Sequence, residues 1–412
     1  IMVGMIKYEW KKIWGSRLTQ LSIIGCSVFL IFCVYSSIIQ ITATDKNGQT
    51  FYGMSAVEVM KDTQQKIELT QEKVDELVNR YLGYTTDSKT NSNNEAYHYL
   101  SEDIYKTFYL PNRDLLSLIT NVYREPGSGS GMKDVLEENV GKDFAKARLE
   151  RDKYYIKTKE KQGQLTSEEA DYWENKVENI PSYQFGYHKG WSMILDALTW
   201  PVLIMMIICI GIAPIFAGEY QSKCDSLILC MKYGKSKLIS AKVIVAWLYT
   251  TCVYWGISLI YSAVYIGLLG IEGADLPIQL KYPAMSVGYQ LTMGEAVVYA
   301  LVLAYVFTLG IMGITILMST VLKNTYGVII IAFLLIIVPT FLAPDAGGYI
   351  WSHALSLLPS KIADFSFQSY TAYSVGNIVL SWPSMAIWVN AITAILFSAV
   401  SYFIFRKHQV NK

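Results

Sequence analysis

The stretch AVVYALVLAYVFTLGIMGITILMSTV, residues 296–321, contains 26 amino acids and no Asp, Glu, Lys, Arg or His. Because an α-helix rises about 1.5 Å per residue, roughly 20 apolar residues cross the ~30 Å hydrocarbon core of a bilayer. Apolar helices buried in soluble cores are shorter, on the order of 10–14 residues. This stretch therefore predicts a transmembrane helix and places the chain among membrane proteins.

Five further apolar runs are long enough for the same role. Hydrophobic residues make up 52% of the 412 residues, and the excess lies in these runs. The six predicted spans are 18–41, 194–217, 243–270, 296–321, 325–343 and 385–405. The first run exceeds the roughly 7–15 apolar residues of a signal peptide, so we expect it to be retained. The expected fold class is an all-α membrane protein with six transmembrane helices.

The distribution of charge predicts the orientation of these spans. If the N-terminus lies inside, the inside segments carry 13 Lys and Arg against Glu9, Glu219 and Asp225. The short outside segments after residue 270, which include the predicted loop 271–295, carry two Lys against five acidic residues. Because Lys and Arg concentrate in cytoplasmic loops, we expect both termini, including the tail 406–412, in the cytoplasm of a multi-pass cell-membrane protein.

The polar region 42–192 is too long for a connecting loop. It carries 25 Asp and Glu, 20 Lys and Arg, and no Cys, so a disulfide framework is not expected. We expect a mostly helical extracellular domain, in which tyrosines either form a ligand surface or pack the helices. Its predicted helices are 55–82, 133–158 and 166–177, and its predicted loops are 84–94 and 125–132.

Residues 5–17, MIKYEWKKIWGSR, have the pattern of an amphipathic interfacial helix. Ile6, Trp10, Ile13 and Trp14 fall on one helical face, whereas Lys7, Lys11 and Lys12 fall toward the other. Basic helices with interfacial Trp lie along membrane surfaces. We therefore expect Lys7, Trp10, Lys11 and Trp14 to contact the bilayer surface, the alternative being a plain charged lead-in to the first span.

The segment 218–242, GEYQSKCDSLILCMKYGKSKLISAK, contains a Gly-Lys-Ser triplet at 234–236. A phosphate-binding loop needs a further Gly five residues before Gly234, but Leu229 stands there. Nucleotide binding by this segment is therefore not expected. Instead, we predict a short helix over Ser222–Met231 with Leu227, Ile228 and Met231 on one side, followed by a turn at Tyr233-Gly234.

This segment resembles the loop between the second and third spans of ABC-2 type transporter permeases. The resemblance rests on Phe216-Ala217-Gly218-Glu219-Tyr220, on Tyr233-Gly234-Lys235-Ser236-Lys237 and on Lys242. It implies that Glu219 closes the second span and that a coupling helix docks onto an ATP-binding subunit. We expect Glu219 to pair with Lys7, Lys11 or Arg17, the alternative being a solvated carboxylate at the level of the lipid head groups. The implied interface residues are Glu219, Ser222, Leu227, Ile228, Met231 and Tyr233. The insertion of about 150 residues after the first span departs from the plain family pattern.

The region 344–384 is half apolar and is interrupted by Pro359 and Gly376. It resembles the short re-entrant helices that cap the exit in this family, with Trp351, Leu355 and Phe365 as the expected cap residues. An ordinary extracellular loop is the alternative. His353 is expected to be a packed or hydrogen-bonded residue rather than a ligand.

The resemblance implies a non-catalytic permease subunit of an exporter that moves a peptide, lipid or drug-like amphiphile. Two cytoplasmic ATPase subunits would carry ATP and Mg²⁺, a second permease copy or homologue would complete the pathway, and this chain would hold no cofactor or metal. No nucleic-acid partner is expected. One alternative is a membrane sensor or immunity protein whose extracellular domain binds an antimicrobial peptide or envelope component. Another is a membrane scaffold without an ATPase.

Overall fold

A computed structural model describes residues 1–85, 99–180, 183–197, 200–343 and 348–408. The described chain is mostly helical with little sheet. The helices are α1 Met2–Trp14, α2 Arg17–Ile39, α3 Gly53–Thr63, α4 Gln71–Tyr84, α5 Glu102–Ile104, α6 Leu110–Tyr123, α7 Met132–Glu138, α8 Phe144–Lys161, α9 Ser167–Glu178, α10 Lys189–Asp196, α11 Pro201–Ile212, α12 Pro214–Gln221, α13 Asp225–Cys230, α14 Lys237–Leu269, α15 Met293–Val321, α16 Thr325–Ile337, α17 Gly348–Ser356 and α18 Trp382–Lys407. The strands are β1 Thr42–Thr44, β2 Thr50–Tyr52, β3 Ile67–Glu68, β4 Gln184–Phe185, β5 Ala372–Val375 and β6 Ile378–Ser381.

Among the described residues, five helical stretches are long and apolar enough to cross a membrane. They are α2, the continuous α11–α12 pair, α14, α15 and α18. The predicted fifth span, 325–343, is shorter. Its helix α16 ends at Ile337 and a 3₁₀ turn continues to Phe341, because Pro339 has no N–H and its ring disfavours a regular helix. Six spans therefore remain a prediction.

Two helices begin at residues other than those predicted for their spans. The helix of the predicted second span begins at Pro201 rather than at residue 194, because α10 is a separate short helix and proline favours the first turn of a new one. The third begins at Lys237 rather than at residue 243, so Lys242 lies inside α14. The other spans agree within about three residues at most ends; α15 starts at a capping box of Thr292 and Glu295.

Helix α15 lies deep in the bundle, with 61% of its most apolar stretch buried, against 67% for α11–α12 and 22% for α2 and for α18. It packs most closely on α18. A Cβ at Gly310 would come within 2.4 Å of Asn390 Oδ1, and one at Gly313 within 2.8 Å of Ala394 Cα. Small residues let two helix backbones approach closely in a bilayer, so these glycines set the spacing of this pair.

In the described parts of the inserted region, 42–192, two of the three predicted helices are divided. The predicted helix 55–82 divides into α3 and α4, because the chain between them forms β3, which pairs with β4. The predicted helix 133–158 divides into α7 and α8, and Gly141 between them has a φ of +74°. The third prediction is confirmed: Thr166 and Glu169 form a capping box at the start of α9.

The loop predicted at 125–132 lies between α6 and α7, whereas most of the loop predicted at 84–94 lies outside the described residues. The tyrosine side chains of this region pack helices where they are buried, as Tyr81, Tyr123 and Tyr183 are. The region also rests on the bundle. Tyr187 donates a hydrogen bond to Leu269 O and Trp191 donates one to Ile271 O, at the C-terminal end of α14.

The region 344–384 contains α17, a 3₁₀ turn over Pro359–Asp364 and the hairpin β5–β6, which the sequence did not predict. Gly376, with a φ of +62°, makes the hairpin turn. The hairpin contacts α9 of the inserted region. His353 is buried, and its two ring nitrogens lie 2.8 Å from Tyr349 O and 2.9 Å from Ala372 O.

Candidate functional site: a buried charge cluster and the loop helix

Four charged side chains meet at the end of the bundle that carries α1. Lys242 Nζ lies 2.7 Å from Glu219 Oε1, 3.0 Å from Glu9 Oε2 and 3.1 Å from the carbonyl oxygen of Ile215. Lys12 Nζ lies 2.5 Å from the same Glu219 oxygen. We call Glu9, Lys12, Glu219 and Lys242 the lysine–glutamate cluster. It joins α1, α12 and α14.

The cluster is almost closed to solvent. The Lys242 side chain is 0% exposed, Glu9 5% and Glu219 8%, whereas Lys12 is 40% exposed. A buried ion survives only where opposite charges and hydrogen bonds replace its hydration. Lys242 meets this condition with three acceptors, one for each of its N–H donors. The two lysines balance the two carboxylates, so the cluster is neutral as a unit.

Lys12 closes the cluster on its solvent side. Partial burial lowers its pKa, but the hydrogen bond to Glu219 and the charges of Glu219 and Glu9 outweigh this and raise it overall. Lys12 therefore stays protonated at neutral pH. Because it is more than a third exposed, water and salt screen its attraction to Glu219.

The prediction that Glu219 pairs with the N-terminal helix named the wrong partners. Glu219 contacts Lys12 and Lys242 rather than Lys7, Lys11 or Arg17. The sequence prediction places Lys242 in the loop and treats Glu9 only as one acid in a basic segment. Glu9 falls beside Ile6 and Ile13 on the apolar face of α1, and a carboxylate at that position signals a buried partner.

The predicted short helix exists as α13, but its faces differ from the prediction. Leu227 is 70% exposed and Met231 just after the helix is 53% exposed, whereas Ile228 is buried. Placing Ile228 on the exposed face was therefore wrong. The turn after α13 packs back on it: a Cβ at Gly234 would come within 1.7 Å of Ile228 O, so only glycine fits. We call α13 with Met231 the loop helix.

Neighbouring elements contact the loop helix at its first residue and also contact the residues that precede it. Asp225 Oδ2 lies 3.3 Å from His408 Nε2, just past the end of α18. On the approach, Gln221 donates a hydrogen bond to Asn324, which precedes α16, and Tyr220 donates one to Thr320 O of α15. Cys224 N donates to Glu219 O, so the cluster and the loop helix belong to one continuous piece of backbone.

The helix predicted over residues 5–17 is present as α1, Met2–Trp14, and its apolar face packs against the bundle. Its contact with a bilayer surface stays a prediction. Trp14 and Tyr249 of α14 have ring centroids 5.7 Å apart, and Trp10 packs on Trp14 at 5.6 Å. Lys7 and Lys11 are exposed on the other side.

Two further residues were predicted for the ATPase interface. Ser222 Oγ donates a hydrogen bond to Gly218 O, and the ring of Tyr233 lies under the ammonium of Lys237.

The predicted cap residues lie at the opposite end and do not share one surface. Leu355 and Phe365 are buried, and Phe365 stacks on Trp382 with a centroid distance of 5.0 Å, whereas Trp351 is 42% exposed.

Among the described residues, no group of three or more His, Cys, Asp or Glu is arranged to hold a metal ion. The chain matches no protein-family model, and it has no significant match among curated proteins. The resemblance to ABC-2 permeases stays a prediction.

Proposed function

We propose that this chain is the membrane subunit of an ATP-driven exporter and that its loop helix docks onto a separate ATPase subunit. The observation that supports this proposal best is the exposed pair Leu227 and Met231 on a short helix at one end of the bundle. Two large apolar side chains, one turn apart, are disfavoured in water and typical of a docking surface.

The attachment of the loop helix suits this role. A docking element that drives transport must transmit force to the spans. The backbone from Glu219 to Asp225 links α12 to the loop helix, and Asp225, Tyr220 and Gln221 contact the ends of three further helices. A displacement of the loop helix would therefore act on several spans together.

In this proposal the cluster side of the molecule faces the cytoplasm, as the positive-inside rule predicts. ATP and Mg²⁺ bind to two ATPase subunits, a second permease copy or homologue completes the pathway, and the cargo is an amphiphile. In this proposal the spans have two states. ATP binding shifts them from one state to the other only if the ATP-bound ATPase pair binds the loop helices more tightly in one state than in the other.

The test is affinity purification of the tagged chain from native membranes, comparing the parent with Leu227→Asp/Met231→Asp. A charge on both exposed positions should remove an ATPase from the eluate, because carboxylates cannot enter an apolar pocket without losing their hydration. Neither substitution disturbs the core, since both side chains point to solvent. ATPase activity of the eluate gives a second readout.

A matched control is Ile271→Asp, which places the same charge on a 68% exposed apolar residue at the other end of α14. It should leave the ATPase bound. If the parent brings down no ATPase from membranes in which it is folded, the proposal fails and the scaffold alternative takes its place. If the parent and the loop-helix variant retain the ATPase equally, docking occurs elsewhere.

A further inference from the structure

A groove of about 600 Å³ lies where α2 meets the inserted region. Its walls come from the second half of α2, from α3, from α6 and from α10, and its volume falls in the roughly 300–1,000 Å³ range of ligand sites. None of the residues proposed for ATPase docking lines it.

The lining of this groove changes in character along its length. On the α2 side the lining begins with Phe29 and Phe32, which are 49% and 63% exposed, and Met193 of α10 continues this apolar surface. Polar side chains follow further along α2, namely Ser36, Ser37 and Gln40. At the inserted region it is charged, with Arg113 and Lys189 at the mouth. An apolar trough that ends in cations is complementary to an amphiphile with an anionic head.

The cation at Lys189 is not neutralised within the described part of the chain. No carboxylate there lies within ion-pair distance of its ammonium, and Asp196, whose charge acts on it, is bonded to Lys281. Burial lowers the pKa of Lys189. Asp196 and Asp114 oppose this shift, whereas the nearby Lys281 and Arg113 add to it. An anion in the groove would offset the free-energy cost of keeping this partly buried ammonium charged.

Asp114 does not cancel the positive charge of the mouth. Its carboxylate accepts a hydrogen bond from Gln64 and lies 3.5 Å from Arg113 Nε, so these two side chains already occupy its oxygens. The charges lining the groove are therefore two positive and one negative.

A second groove is also lined by α2, and comparing it with the first shows that the cations lie on only one side of this helix. It measures about 460 Å³ and lies between α2 and α14, and no charged residue is among those that line it in the described chain. Bilayer tails can fill such a surface without selecting a head group. Of the two, only the groove beside α10 combines an apolar trough with cations.

We propose that the groove beside α10 binds an amphiphile that has an acyl chain and an anionic head group. The chain lies along Phe29 and Phe32, and the head group lies against Lys189 and Arg113. This inference goes beyond the proposed export function and does not depend on an ATPase. The ligand is either a bilayer phospholipid or a single-chain amphiphile.

The experiment reconstitutes the chain in nanodiscs of equimolar phosphatidylglycerol and phosphatidylcholine and measures, by native mass spectrometry, which lipid stays bound after mild release. The parent should retain phosphatidylglycerol in excess. Lys189→Gln/Arg113→Gln should lower that excess by about five-fold or more, in line with the usual contribution of one basic residue to anionic-lipid binding. Lys157→Gln, an exposed lysine on α8, should leave it unchanged.

A second measurement uses the unmodified chain, so that it does not depend on how the variants fold. Phosphatidylglycerol with a photoreactive acyl chain should cross-link to α2 and α10 around Phe29, Phe32 and Met193. Displacement of the bound lipid by dodecyl phosphate, but not by inorganic phosphate, would identify a single-chain amphiphile as a ligand; retention would identify the bilayer lipid. Equal retention of both lipids, or cross-links absent from these helices, would overturn the proposal.

Discussion

The two ends of the helical bundle both contain buried ions, but they build them differently. At the α1 end, the lysine–glutamate cluster joins residues more than 200 positions apart, and its contacts between α1 and the spans are ionic. At the other end, Arg151 pairs with its sequence neighbour Asp152, and it donates hydrogen bonds to the carbonyl oxygens of Asn121 and Met285 in other segments.

This difference predicts what each network stabilises. The lysine–glutamate cluster ties α1, α12 and α14 with charge, so it should matter to the assembly of the spans. The Arg151–Asp152 pair is locally neutral, and its hydrogen bonds to Asn121 and Met285 join the inserted region to the loop before α15. It should therefore matter to how the inserted region rests on the bundle.

The largest effect is expected from Lys242→Met. Methionine keeps much of the volume but leaves Glu9 and Glu219 buried without the ammonium between them. Breaking a buried ion pair by removing one partner costs about 3–5 kcal/mol. We expect a loss of that size in the free energy of unfolding, measured by denaturant titration of the protein in detergent micelles.

Two controls separate charge from packing at Lys242. Lys242→Met/Glu9→Gln/Glu219→Gln removes all three buried charges and should recover most of the loss, because well-packed neutral groups replace buried ions at little cost. Lys12→Met removes a 40% exposed partner and should cost no more than about 1 kcal/mol. A loss below about 1 kcal/mol for Lys242→Met would show that the cluster does not hold the spans together.

A smaller and more local effect is expected from Arg151→Met. The change removes hydrogen bonds from a charged donor to two carbonyl oxygens, and each such bond contributes roughly 1.5–3 kcal/mol. We expect a loss of about 3 kcal/mol, the lower end of the sum for two such bonds, because Arg148 stays near the acid that is left behind. The loss should appear as faster amide hydrogen exchange in α6, α8 and residues 285–289. Exchange in α15 and α18 should stay slow.

Lys146→Met on α8 is the matched control, because its side chain is 73% exposed and its contact with Glu150 is 3.9 Å long. It should leave exchange unchanged. If Arg151→Met instead speeds exchange throughout the spanning helices, the two ends unfold as one unit and the contrast between them does not hold.

Much of the architecture could be predicted from sequence because transmembrane helices follow from uncharged length alone. The run 296–321 needs no tertiary information, and α15 covers it. The capping box at Thr166 and Glu169 is equally local. The sequence failed where distant residues decide the outcome: β3 interrupts the predicted helix 55–82 because β4, more than 100 residues later, pairs with it.

The candidate site shows the same limit. A count of charges on each side of the membrane assumes that every lysine at a helix end is solvated. This assumption placed Lys242 in a loop. The burial of Lys242 depends on Glu9, 233 residues earlier, which no local pattern connects to it. Leu227 could be recognised as an unusual apolar residue in a polar loop, but the burial of Ile228 depends on its packing in the hydrophobic core, which no local pattern shows.

The smallest expected effect is a pH dependence that comes from the Arg151–Asp152 pair. Burial raises the pKa of Asp152 above its ordinary 3.8, although Arg151 and Arg148 oppose the rise. In the pH window above 3.8 the folded protein therefore keeps a proton that the unfolded chain has lost. Stability must fall as pH rises through this window, by about 1.4 kcal/mol for each pH unit that separates the pKa of the folded state from that of the unfolded chain.

Asp152→Asn should remove this dependence, since asparagine resembles the protonated acid and does not titrate. The difference in unfolding free energy between variant and parent should move in favour of the variant from pH 4 to pH 7. Glu178→Gln, which removes an exposed carboxylate paired with Lys153, is the control and should not reproduce that trend. If the difference instead moves in favour of the parent, Arg151 and Arg148 stabilise the ionised acid more than burial penalises it. The Arg151–Asp152 pair would then hold its charges ionised, and the two ends would differ only in which segments they join.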